Sequence, residues 1–196
     1  MTTASARAFA ALRDFSRERP PVEWCDLCAT PLAPRHDHLL DTQTRRLQCV
    51  CQACVCLLGE NPRGRWTLVR HGVQRRSDVH VSDEAWHALG LPVDLAFLVH
   101  RSTIGRIVAL YPSPAGLVEA GVELMHPLLA DLRPDVEALL VNRTASRRDY
   151  YLVSIDECYR LVGLLRLHWN GFSGGTEVQE RIGQFFAALD GPRPAA

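Results

Sequence analysis

Two cysteine pairs, Cys25 with Cys28 and Cys51 with Cys54, each have Cys-x-x-Cys spacing and are separated by 22 residues. A Cys-x-x-Cys turn points two sulfurs at one ion while nearby backbone N–H groups donate to the thiolates, and two such turns can close a tetrahedral set of four. Closed four-thiolate sets are usually structural, and zinc is the metal expected here. The same sulfurs could instead hold iron in a rubredoxin-type redox carrier, which would be coloured where zinc is not. The spacer slightly exceeds the common range and leaves room for a β-hairpin. Ala29 stands where such turns commonly carry glycine. Further donors crowd the pairs. Cys49 and Cys51 are two apart, as are Cys54 and Cys56, so on extended strands each pair shares a face and Cys49 or Cys56 could replace one of the four ligands. His36 and His38 also share a face and could bind a second ion, although strand histidines are more often solvated or lie at the edge of a core.

Elsewhere the chain offers little catalytic chemistry. It has no Gly-x-Ser-x-Gly elbow, no His-Glu-x-x-His pair and no kinase signature. All 22 basic side chains are arginine, so Schiff-base and P-loop lysines are excluded. Cys158 falls on the apolar face of a helical pattern and reads as core, not as a nucleophile. Arg166, His168 and Trp169 precede the Gly-rich turn Ser173-Gly174-Gly175 and could line a polar pocket, but a satisfied histidine and a packing tryptophan are the ordinary reading. No catalytic residue is assigned.

The elements that must position the cysteines follow from periodicity. Residues 4–18 suggest an amphipathic helix ended by Pro20-Pro21. Arg45 to Cys51 suggests a strand after a turn at Thr42-Gln43-Thr44, with Val55 to Leu58 returning antiparallel, which would put the second pair at a hairpin tip. Arg65 to Arg70 suggests a further strand. Ser82 and Gly90 bracket a short helix, and Leu91–His100 with Gly105–Tyr111 reads as a hairpin ended at Pro112–Gly116. Val122–Leu132 suggests a helix interrupted or restarted by Pro127. Residues 135–143 fit either helix or buried strand, whereas Asp149–Val153 fits a strand. Two amphipathic helices close the chain, the first carrying Cys158, Leu161, Val162 and Leu165, the second Val178, Ile182, Phe185, Phe186 and Leu189. The expected fold is α+β: an N-terminal helix (1–20), a small zinc-ribbon-like β module (21–77) and a mixed α+β domain with C-terminal helices (78–196).

Formal charge is zero and the pI is about 7.1, so nothing draws the chain to nucleic acid, and a nucleic-acid-binding regulator is the weaker alternative. With no leader pattern and no membrane-spanning run, the expected compartment is the cytoplasm, with no membrane partner. Six of the seven cysteines lie between positions 25 and 56, which in a reducing compartment fits metal ligands better than disulfides.

Three segments, Ile107–Gly116, Arg133–Arg143 and Ile155–Trp169 with Ser173–Gly175, resemble an uncharacterised bacterial family encoded near uptake NiFe-hydrogenase genes. The resemblance covers roughly positions 22 to 189. It implies an accessory role in hydrogenase maturation or assembly, with a hydrogenase subunit or maturation factor as partner, and it carries no catalytic residues with it.

Overall fold

The computed structural model describes residues 22–59, 64–113, 116–122, 127–168 and 175–191. The helix expected at 4–18 lies outside them. Three strands, β1 (Asp37–Asp41), β2 (Arg46–Val50) and β3 (Trp66–Val69), form an antiparallel sheet in the order β2-β1-β3. The β1–β2 turn is held by the buried Asp41 carboxylate, which accepts from Arg65, from the Gln43 N–H at 3.0 Å and from the Thr44 hydroxyl at 2.7 Å. The Arg65 guanidinium, followed by these turn donors, holds the Asp41 carboxyl well below the usual range despite burial.

After Cys51 the chain does not return as a strand. Gln52–Leu58 is a helix, α1, so the expected strand at Val55–Leu58 and the hairpin-tip position of the second cysteine pair are both corrected. Both edges of β1 are already taken, by β2 and β3. Residues 51, 54, 55 and 58 also follow the i, i+3, i+4, i+7 spacing of a helix, and they line one small core with Leu39 and Val50.

The chain then crosses to a six-stranded, wholly antiparallel sheet. Its strands are β4 (Val73–Arg75), β5 (Leu95–Arg101), β6 (Arg106–Ser113), β7 (Gly116–Gly121), β8 (Glu137–Asn142) and β9 (Asp149–Ser154), in the order β4-β9-β8-β5-β6-β7. The β5–β6 hairpin is the expected one, with Gly105 at φ +62 in its turn. β7 was not expected; the segment at Pro112–Gly116 leads into a third strand instead of ending the hairpin. β8 settles the ambiguity at 135–143. It is central and covered on both faces, where a strand reads as a continuous apolar run and loses its alternation signal.

Helices cover both faces. On one side lie α2 (Asp83–Ala88), capped by Ser82, whose hydroxyl accepts from the Ala85 N–H at 3.1 Å, and α3 (Pro127–Ala130). Pro127 therefore opens a turn of helix, as its fixed φ favours, and residues 123–126 of the expected longer helix lie outside the described residues. On the other side lie α4 (Ile155–His168) and α5 (Gly175–Asp190). Period-two alternation sorts the central strands between these layers: Phe97, Ala138 and Leu140 face α4 and α5, while Leu98, Leu139 and Val141 face α2 and α3. The architecture is α+β. The first sheet leans on the α4 side, because Leu40 and Val69 join that core and the Tyr159 hydroxyl donates to the Arg45 carbonyl at 3.2 Å.

Candidate metal centre

The first cysteine pair sits in a tight turn clasped by a bridge between Trp24 and Pro31. The Cys25 N–H donates to the Thr30 carbonyl and the Ala29 N–H to the Cys25 carbonyl, each at 2.8 Å. Asp26 ties this turn to β2: its N–H donates to the Cys49 carbonyl at 2.9 Å, and its carboxylate accepts from the Cys49 N–H at 2.7 Å. Cys51 stands at the N-cap position of α1 and Cys54 lies in its first turn, where helix geometry leaves N–H groups without intrahelical partners and favours negative charge.

These two pieces bring the four sulfurs together. Cys25 and Cys54 are 3.7 Å apart and Cys28 and Cys51 3.5 Å, and all four lie within 4.8 Å of one another. A disulfide needs about 2.05 Å. Four sulfurs at about 2.3 Å from one ion in tetrahedral array stand about 3.8 Å apart, which the observed separations approach. The donor set therefore fits a tetrahedral metal ion. Its electrostatics point the same way. The Thr30 hydroxyl and N–H draw the Cys28 thiol down to about 6. Against burial, the N–H groups of Cys51, Leu27 and Cys28 lower Cys25, whereas burial and then the three neighbouring thiols push Cys54 up to about 12. Four thiols this close cannot all ionise without a cation among them.

Ala29 adopts φ +57. The left-handed region costs a residue with a Cβ about 1–2 kcal/mol, while glycine gives back about 0.5–1 kcal/mol in chain entropy. Ala29→Gly should therefore stabilise the metal-loaded module by about 0.5–1 kcal/mol, read as a higher denaturant midpoint at unchanged metal content.

Cys49 and Cys56 do not join the four. Cys56 is exposed, its sulfur 3.9 Å from the Gln52 amide, and Cys49 turns to the opposite face of β2, beside His36 and His38. Burial, then Asp26 and Glu23, push its thiol up. A second cluster thus begins on the face of the first sheet that meets α4. His36 and His38 rings are 5.0 Å apart, and His38 and His71 rings 5.6 Å. Asp156, from the first turn of α4, completes it: His71 Nδ1 is 3.0 Å and His38 Nδ1 3.6 Å from its Oδ2. Burial alone would raise the Asp156 carboxyl, but His38, the Ser154 hydroxyl and His71 hold it at about 2. Two triads can be drawn, His36 with His38 and Cys49, and His38 with His71 and Asp156.

Residues 24–193 match the family of unknown function DUF5947. The chain belongs to that family. No curated protein and no solved structure matches it. The DUF5947 region opens one residue before Cys25, so it takes in the four sulfurs, the histidine cluster and the whole six-stranded sheet.

The other residues singled out in this DUF5947 chain are placed more plainly. His168 Nδ1 lies 2.7 Å from Glu177 Oε1, a link between α4 and α5, and Arg166 is exposed. Trp169 and the Ser173-Gly174 turn lie outside the described residues. Cys158 is fully buried in the core, where burial pushes its thiol well above the ordinary value. No helix among the described residues is long and apolar enough to cross a membrane. His71 and Asp156 were not singled out from sequence: His71 lies two residues past Val69, which pairs with His38 only once β3 is set beside β1, and Asp156 arrives on α4.

Proposed function

We propose that this protein is a metal-binding accessory factor for the maturation or assembly of a NiFe hydrogenase, acting through protein contacts, with zinc at Cys25, Cys28, Cys51 and Cys54 holding the contacting module in shape. The observation that carries the metal-binding part is the convergence of four sulfurs at near-tetrahedral separations. Four thiolates leave no coordination position for a substrate, which favours architecture over catalysis. The module also keeps Val22, Trp24 and Leu57 exposed, apolar side chains suited to a protein partner. The hydrogenase part rests on the sequence resemblance.

Deleting the gene should lower hydrogenase activity while leaving the hydrogenase transcript unchanged; unaltered activity would remove the hydrogenase reading. A rubredoxin-type iron centre is supported by the same sulfur geometry and is separated by colour, since iron gives a charge-transfer spectrum and zinc none.

A further inference from the structure

We propose that His38, His71 and Asp156 form a second, exchangeable site for a first-row divalent transition metal ion, separate from the four-sulfur centre. The hydrogen bonds around the cluster fix where its lone pairs point. His71 Nε2 lies 3.2 Å from the His36 carbonyl oxygen, which can only accept, so Nε2 carries a proton, and in the neutral ring Nδ1 then turns its lone pair toward Asp156. Asp156 is prepared in the same way: its Oδ1 accepts from the Ser154 hydroxyl and from the Glu157 N–H at 2.9 Å, which leaves Oδ2 facing the two rings. His38 Nδ1 is buried, has no hydrogen-bond partner, and lies 3.6 Å from that same oxygen.

Two imidazole nitrogens and one carboxylate oxygen thus converge. A proton on His71 would join that ring to Asp156 and would leave the buried His38 Nδ1 with only a 3.6 Å approach to the same oxygen, beyond hydrogen-bond reach. One metal ion answers both rings. Ligands at about 2.0–2.2 Å from an ion stand about 2.8–3.6 Å from each other in octahedral or tetrahedral array, and the separations here are 3.0 and 3.6 Å. Metal-bound histidines characteristically donate their other N–H to a backbone carbonyl, as His71 does. His36 shows the same arrangement from the neighbouring position, its Nδ1 donating to the Ala33 carbonyl at 2.9 Å while its buried Nε2 stays unpartnered.

Two imidazoles and a carboxylate suit cobalt, nickel, zinc or ferrous iron in preference to calcium or magnesium. Three protein donors leave coordination positions open. The His71 side chain is 48 % exposed, so the ion can enter from solvent or pass to a partner. The site also spans two units of the fold, because β1 and the segment after β3 supply the histidines and α4 supplies the carboxylate.

The test uses the full chain with its four-sulfur centre first filled by one equivalent of Zn²⁺, then titrated with Co²⁺. One equivalent of Co²⁺ should bind, giving d–d absorption without sulfur-to-metal charge transfer. His71→Ala and Asp156→Asn should each weaken it by more than the roughly 10–100-fold that follows loss of a partner orienting a ligand, with bound zinc and circular dichroism unchanged. Cys49→Ser should have no effect. Absence of the second equivalent in the wild type would overturn the site, as would undiminished affinity in both the His71 and Asp156 variants. Sulfur-to-cobalt charge transfer abolished by Cys49→Ser would also overturn it, by placing the ion with His36 and Cys49. The titration is read on purified protein and is independent of any hydrogenase phenotype.

Discussion

Cys54→Ser should release the metal and unfold the three-stranded module while leaving the six-stranded sheet and its helices folded. The buried side chains of the module's own core are Cys25, Leu39, Val50, Cys54 and Val55, two of these five being sulfur ligands, while Leu40 and Val69 face the core on α4. The three aliphatics supply about 1.5–3 kcal/mol each, against about 1–2 kcal/mol of backbone entropy for every residue ordered. So small a core does not hold unaided. Structural zinc contributes an apparent 10–16 kcal/mol in small zinc domains near neutral pH, enough to decide whether such a module folds. Metal content, limited proteolysis and thermal unfolding of the variant and of chelator-treated wild type should agree: about one ion fewer per chain, rapid cleavage between residues 22 and 70, and a persisting transition from the larger sheet.

The same centre has a definite pH dependence. The ion binds thiolates, so binding displaces protons, and release accompanies falling pH as protons reclaim the sulfurs. Four thiolates hold the ion and each takes up a proton as the ion leaves on acidification, so release should be steeper than a single titration. A metal-sensitive dye should report this as a sharp loss on acidification, reversed on returning to neutral pH with metal present.

Phe97→Ala is expected to cost about 3–5 kcal/mol, the usual range for emptying a buried aromatic site. Phe97 is completely buried on β5, between β8 and β6, and packs in the core shared with α4 and α5. Against a typical stability of about 5–15 kcal/mol this is a large fraction. The urea midpoint should fall sharply with the slope preserved, since the same surface is exposed on unfolding. Metal content should stay near the wild-type value at low denaturant, because Phe97 touches neither sulfur pair.

Much of this was legible in the sequence where the signal was local. The two Cys-x-x-Cys pairs identify themselves by spacing, Ser82 and Gly90 bracket α2 as cap chemistry predicts, and the β5–β6 hairpin follows from two apolar runs around a glycine turn. The misreadings have physical causes. Val55 to Leu58 is β-compatible by composition, yet helix was decided by β3, a strand from later in the chain that occupies the edge of β1. β8 gave no clear periodicity because both its faces are buried. β7 pairs only at the sheet edge, and its apolar residues are broken by Glu119 and bounded by Gly116 and Gly121. The histidine cluster was half visible: His36 and His38 announce themselves by their step of two, but His71 joins through the β1–β3 register and Asp156 through packing of α4, and no local pattern encodes either.

β1 is a single-strand partition with unlike surroundings on its two sides. Leu39 belongs to the small core with the sulfurs, while His38 and Leu40 face the core built on α4. Inserting or deleting one residue in this strand would reverse every side chain beyond it, turning Leu39 toward α4 and a histidine or Leu40 toward the cysteines. Length is thus a stricter requirement than composition for residues 37–41, and variation among relatives should take the form of apolar exchange at 39 and 40 without any change in residue count.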